Sequence, residues 1–247
     1  MAEQKPHFLL VTYPAQGHIN PALRFAKRLL QSGARVTFST TVSAYRRMEK
    51  GNSIPKDVTF AAISDGYDDG FRRNVDGDAR TYLSAFRQRG SESLRELLEK
   101  SAAEGNHVTC LVYTLLLPWA SEVARSCNVR SALLWIQPAA VFDIYYYCFN
   151  GYKDVISECE KDPSWCLKLP NLPFELRARD LPSFLRPSNC YPYTFLLPTF
   201  QEQMEELEKE ETPTILVNTF EALEADMLKS IEKFQLVPVG PLLPSAS

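Results

Sequence analysis

The chain has 247 residues, 45% of them hydrophobic, which suits one large domain or two small ones and buries roughly 70 to 75% of the unfolded surface without covalent staples. Its 27 basic and 30 acidic residues are mixed along the chain and leave a formal charge of -3, so no basic field exists to attract nucleic acid or anionic lipid. The expected partner is a small molecule.

The polar N-terminus, residues 1–6, runs directly into an apolar stretch at 7–12 that reads as a strand, with none of the charged and apolar regions of a secretory leader. Periodicity predicts a helix over 19–31, with Asn20-Pro21 as its cap and first-turn proline and Gly33 as its stop. A strand at 35–40, a helix at 42–50 and a strand at 59–63 follow. The next segment, Ser-Asp-Gly-Tyr-Asp-Asp-Gly, carries Asp65, Asp68 and Asp69. It lacks the loop length and closing glutamate of a calcium site, and Asp-Gly pairs are ordinary turn formers, so no metal is expected.

A long helix at 81–104, a strand at 109–113, a helix at 118–127, a strand at 131–135 and a helix at 139–152 continue the alternation. The most apolar window, 132–149, is interrupted by Gln137, Pro138 and Asp143, which argues against a membrane span. Residues 163–198 contain seven prolines and read as irregular, either a wall or lid of a site or a cover over a sheet edge. An acidic helix at 199–210 has Met204 and Leu207 on one face and charge elsewhere, as a solvated helix would. A strand at 214–218, a helix at 222–234 and a strand at 236–239 close the pattern before a Pro/Ser tail.

Such alternation implies an α/β fold: a doubly wound, mostly parallel sheet with helices on both faces. In these sheets ligands bind beyond the carboxyl ends of the strands. His18 sits there, between the first strand and the first helix. A neutral imidazole accepts a proton at pH 7, so His18 is a candidate general base, the alternative being a hydrogen-bonding group at a helix terminus. A Gly-x-Gly-x-x-Gly turn, a Gly-x-Ser-x-Gly elbow and a Gly-Lys-Ser/Thr loop are all missing, which disfavours a nicotinamide enzyme, a hydrolase and an NTPase. Six cysteines, including Cys110 in a strand and Cys127 in a helix, form no Cys-x-x-Cys pair and read as reduced core residues of a cytoplasmic protein.

Four motifs in order carry a more specific signal: Tyr-Pro-Ala-Gln-Gly-His-Ile-Asn-Pro at 13–21, Ser-Asp-Gly-Tyr-Asp-Asp-Gly at 64–70, Val-Tyr-Thr-Leu-Leu-Leu-Pro-Trp at 112–119 and Val-Asn-Thr-Phe-Glu-Ala-Leu-Glu at 217–224. Together they resemble the plant family 1 UDP-glycosyltransferases. The run Leu-Trp-Ile-Gln-Pro-Ala-Ala-Val-Phe-Asp-Ile-Tyr-Tyr-Tyr at 134–147 is similar to the group of crocetin, auxin and anthocyanin 5-O glucosyltransferases. The resemblance implies the N-terminal, acceptor-holding, Rossmann-like half of a GT-B fold over residues 1–240, with 241–247 as the start of an interdomain linker. The donor-binding domain, with its His-Cys-Gly-Trp-Asn-Ser box, is not in the sequence. It further implies inverting transfer of a sugar from a UDP-sugar, with UDP-glucose as the expected donor, to a hydroxyl or carboxyl of a small plant metabolite such as a phenolic, a carotenoid acid or an auxin-like acid. The UDP-sugar acts as co-substrate, with no cofactor. The alternative is a truncated, catalytically inactive binding module.

By the same resemblance His18 deprotonates the acceptor. Thr114 stands where many relatives carry an aspartate that steadies the imidazolium, and it orients the ring without bringing charge. Either another carboxylate substitutes, or the acceptor is acidic enough to need little help. Gln137 matches a position that reaches the donor sugar, its other reading being a helix-entry polar residue. Gly17 either lets a ligand approach the backbone or serves a tight turn. Phe142, with Tyr145, Tyr146 and Phe149 at helical spacing, is either a wall of the acceptor site or core.

Overall fold

Apolar runs between helical segments become strands, and the first five of them lie side by side in parallel. The computed structural model describes residues 5–51, 57–73, 75–158, 164–186 and 194–243. They form two compact units, one built on the residues up to Leu134 and the other spanning Trp135–Leu242.

The first unit runs β1 (His7–Val11), α1 (Gln16–Gln31), β2 (Arg35–Thr41), α2 (Val42–Lys50), β3 (Thr59–Ile63), α3 (Ala79–Ala103), β4 (Cys110–Thr114), α4 (Trp119–Ser126) and β5 (Arg130–Trp135). β1 pairs with β2 and β4, β2 with β3, and β4 with β5, so the order is β3-β2-β1-β4-β5 and every pairing is parallel. The direction of winding reverses between β1 and β4. Leu9, Leu10 and Val11 of β1 and Leu111, Val112 and Tyr113 of β4 are all buried, the unbroken apolar run of strands covered on both faces.

Local capping sets the helix starts. Thr41 Oγ1 accepts from the Ala44 N–H at 3.3 Å and Asp78 Oδ1 from the Thr81 N–H at 2.9 Å, opening α2 and α3. At the other end of α1, Gly33 takes φ +89, its N–H bonds the Leu30 carbonyl at 3.0 Å and the Ala34 N–H bonds the Leu29 carbonyl at 3.1 Å. This is the left-handed stop expected of that glycine. The start of α1 corrects the sequence expectation. The helix begins at Gln16, with Ala15 as cap residue and no side chain capping it, and Pro21 lies inside. Lacking an N–H, Pro21 makes no bond to the Gly17 carbonyl.

Gly90 lets α3 and α4 approach. A Cβ there would lie 2.7 Å from Trp119 Cη2, a side chain itself 3% exposed. Gly90→Ala is expected to lower stability by up to about 2 kcal/mol: overpacking costs roughly 1 to 3 kcal/mol, less the ~1 kcal/mol helix-propensity gain. Urea unfolding checks it, and an unchanged midpoint would show that the indole yields freely.

The second unit runs α5 (Ala139–Tyr147), a wide helical turn (Cys148–Tyr152), α6 (Lys153–Ser157), β6 (Cys166–Leu167), β7 (Leu176–Arg177), α7 (Leu197–Glu208), β8 (Thr214–Val217), α8 (Glu221–Glu224) and β9 (Gln235–Pro238). β8 and β9 pair in parallel, β6 and β7 antiparallel. Three expectations change here. The helix at 139–152 breaks, because Asn150 leaves helical geometry and Gly151 adopts φ +102. The helix at 222–234 shrinks to α8 and a 3-10 turn at Met227–Lys229, since Glu224 turns inward while Leu228, Ile231 and Phe234 are each buried. The acidic helix is not simply solvated: Glu206 is 2% exposed and pairs with Lys209.

The proline-rich stretch holds more order than its composition implies. Leu167, Leu169, Leu172, Leu176 and Leu181 are buried against Ile144, Tyr147, Cys148 and Ile156, a small core of its own. Pro163, Pro187, Pro192, Cys159 and Cys190 lie outside the described residues. Among the described cysteines Cys148 is buried, Cys110 and Cys127 are half-buried and Cys166 is exposed, all as free thiols, so the all-core reading is corrected for Cys166. In the tail, the Leu242 N–H donates to Asn218 Oδ1 at 2.8 Å, while residues 244–247 lie outside the described set. Among the described residues no helix is long and apolar enough to cross a membrane.

Candidate active site

His18 and Thr114 meet at the reversal of the sheet. His18 rises from the first turn of α1, after β1, and Thr114 is the last residue of β4. Crevices at such reversals, beyond the carboxyl ends of the strands, are where open α/β sheets take their ligands. The two residues are 96 positions apart, yet His18 Nδ1 and Thr114 Oγ1 lie 3.2 Å from each other. The Tyr13 N–H donates to the same hydroxyl oxygen at 3.1 Å. Thr114 is 1% exposed, while Tyr13 and His18 are half-buried.

Burial pushes the His18 imidazole down to about 4, well below its ordinary value of 6.5. The ring is therefore neutral through the physiological range. Among the described residues no carboxylate contributes to that shift.

An aromatic cluster surrounds the pair within the same unit. The Tyr13 ring lies 5.3 Å from that of His18, Tyr82 sits edge-on to Tyr13 at 6.4 Å, and Phe71 and Phe86 pack on Tyr82 at 5.1 and 5.8 Å. Asp65 anchors the cluster: its Oδ1 accepts from the Tyr67 N–H and its Oδ2 from the Tyr82 hydroxyl, both at 2.9 Å. With burial and the Asp65 charge acting together, the phenols of Tyr13 and Tyr82 are held above their ordinary range. Sequence reasoning missed these rings. The signal that could have found them is the density of Tyr67, Phe71, Tyr82 and Phe86 just beyond the carboxyl end of β3. Among the described residues no group of three or more His, Cys, Asp or Glu is gathered as for a metal.

Gly17 shares the first turn of α1 with His18, and a Cβ there would meet nothing within 4 Å. It lies within the helix and needs no left-handed backbone, so the backbone beside His18 is simply open. Gln137 and Phe142 belong to the second unit. The Gln137 side chain presents a buried Oε1 with no hydrogen-bond partner among the described residues, at the entry to α5. The Glu224 carboxylate caps the same helix, accepting from the Ala139 and Ala140 N–H groups at 2.9 and 3.0 Å. Phe142 is corrected as a pocket wall. It is 0% exposed, set edge-on to Trp135 at 5.1 Å and to Phe234 at 5.6 Å, and Tyr145 stacks on Phe200 at 4.7 Å. Phe142 and Tyr145 are core, while Tyr146 and Phe149 are half-buried.

No family model matches the chain. It is 57% identical over 247 residues to UDP-glycosyltransferase 75C1 of Solanum lycopersicum, covering 98% of this chain and 52% of the relative. To the crocetin glucosyltransferase, chloroplastic, of Gardenia jasminoides it is 56% identical over 245 residues, covering 98% and 51%. The crystal structure of Os79 from O. sativa in complex with UDP and deoxynivalenol-3-glucoside has a TM-score of 0.76 at 31% identity, covering 96% of this chain and 53% of that one. The likeness to plant UDP-glycosyltransferases thus extends along nearly the whole chain, and the chain spans about half the length of the curated relatives it matches.

Proposed function

We propose that this chain is the acceptor-holding half of a plant UDP-sugar-dependent glycosyltransferase, with His18 beside the attacking oxygen of a small metabolite. The observation that carries the reading is the His18–Thr114 contact at the reversal of the sheet, in a chain whose likeness to such enzymes is nearly end to end. The acceptor oxygen attacks the anomeric carbon of the UDP-sugar from the face opposite the nucleotide, UDP leaves with the bonding pair, and the configuration inverts. UDP-glucose is the proposed donor and a phenolic or an organic acid the proposed acceptor, in keeping with the names of the relatives. Gly17 leaves the backbone open for the acceptor, and the Gln137 Oε1, with no partner among the described residues, suits a sugar hydroxyl. Free thiols at Cys110, Cys127, Cys148 and Cys166 support a reducing compartment such as the cytoplasm.

The test joins this chain to the donor half of a relative and supplies UDP-glucose with cinnamate or cinnamyl alcohol. Release of UDP together with a glucosylated product is the expected result. A folded fusion that binds UDP-glucose and yields no product with either acceptor would overturn the reading.

A further inference from the structure

We infer that Thr114 holds His18 in the tautomer whose proton sits on Nε2, so that this site takes an acceptor oxygen that arrives already ionised, a carboxylate above all. The inference rests on the glycosyl-transfer reading for its reaction, though not for its tautomer.

The hydrogen-bond count at one oxygen decides the tautomer. Thr114 Oγ1 has two acceptor sites and one hydrogen. The Tyr13 N–H occupies one acceptor site. Toward His18 Nδ1, at 3.2 Å, the hydroxyl either accepts from Nδ1–H or donates to a bare Nδ1. If it accepts, its own hydrogen is left at a residue 1% exposed, where solvent cannot reach it and no further partner exists among the described residues. If it donates, every group at the junction is paired. Stranding a buried donor biases the choice roughly five- to a hundredfold. The ring is neutral, so only one nitrogen carries a proton, and the paired arrangement puts it on Nε2.

An aspartate in place of Thr114 would do the reverse, since it can only accept, and would leave Nε2 bare as a base. With threonine the imidazole instead offers an N–H to the acceptor. An alcohol meeting that N–H keeps its proton and remains a poor nucleophile. A carboxylate, ionised at pH 7, needs no base. One of its oxygen lone pairs forms the bond to the anomeric carbon as the bond to the UDP oxygen breaks, UDP carries off the electron pair, and no proton moves. The Nε2–H hydrogen-bonds the carboxylate and holds it in place. A phenolate shares this chemistry. The nearby buried acid, Asp65, is tied up by Tyr67 and Tyr82 and acts on the phenols of Tyr13 and Tyr82. It is not among the groups that shift the imidazole.

The test reads the ring nitrogens directly. In the ¹⁵N-labelled chain at pH 7, His18 is told apart from His7 and His107 by its loss in His18→Gln, and long-range proton–nitrogen spectra show which of its nitrogens is bare. A bare Nδ1 is expected in the wild-type chain, and a bare Nε2 overturns the inference. Thr114→Asp should move the bare site to Nε2. If that variant does not fold, Thr114→Val should lose the single fixed tautomer, and a spectrum left unchanged by the valine substitution would show that the hydroxyl is not the determinant. Cinnamate, 4-nitrophenolate and cinnamyl alcohol are then titrated. The two anions should shift the Nε2 signal and the alcohol should not, whereas equal shifts from all three count against an ionised acceptor. Absence of turnover in the fused enzyme would defeat the functional reading and leave these spectra unaffected.

Discussion

His18→Ala is expected to lower transfer to cinnamate by roughly ten- to two-hundredfold in the fused enzyme, the worth of one hydrogen bond to a charged oxygen. A residue serving as full general base would account for roughly 10² to 10⁴-fold. The shape of the pH profile separates the two roles. Burial holds the imidazole at about 4, so the ring stays neutral from pH 8 down to the range where the acceptor itself takes up a proton. Transfer to a carboxylate should therefore be flat over that span, falling only toward the acceptor's own pKa. A limb centred near ~6.5, the ordinary histidine value, would show that the ring is solvated and that its contact with the buried Thr114 does not form. The stability contribution of His18 follows the same sign. Because its pKa is lowered by folding, the contribution is present above about 6.5 and is lost as pH falls toward 4.

Asp143→Asn is expected to stabilise the second unit at pH 8 by up to about 4 kcal/mol while leaving it nearly unchanged at pH 4. Asp143 is 0% exposed, and neither carboxyl oxygen has a partner in ordinary hydrogen-bond geometry among the described residues. Burial first, opposed by the Ser230 hydroxyl and reinforced by the Glu224 carboxylate, pushes the acid up from 3.8 to about 7. An acid whose pKa rises on folding contributes stability that is intact below its unfolded value and is lost as pH climbs through the folded one. Both Glu224 oxygens are engaged as the cap of α5. Urea unfolding of the chain and its variant between pH 4 and 8 measures the difference, and parallel curves would place water or a counter-charge beside Asp143.

Much of the site is legible in the sequence. Placing His18 after the first strand requires only the switch from an apolar run to helical periodicity, and Thr114 is marked by the motif around it. The aromatic stripe beginning at Phe142 is ambiguous in sequence, because helical spacing describes a face without saying what covers that face. Trp135 and Phe234, distant along the chain, cover it. Asp65 illustrates the same gap. Its neighbours in sequence mark a turn, while its work is to hold Tyr82, a residue 17 positions onward on another element.

From sequence alone came the parallel α/β alternation, the positions of nearly all its strands and the family resemblance, because each rests on short-range periodicity, turn chemistry or motif spacing. Only the tertiary structure decided that Thr114 shares its hydroxyl between Tyr13 and His18, that Glu224 caps a helix 85 positions away and that Phe142 is core. Such pairings depend on strand register and on how helices seat against the sheet. Those are settled by burial and hydrogen-bond satisfaction summed over the whole unit, and no local stretch of residues contains them.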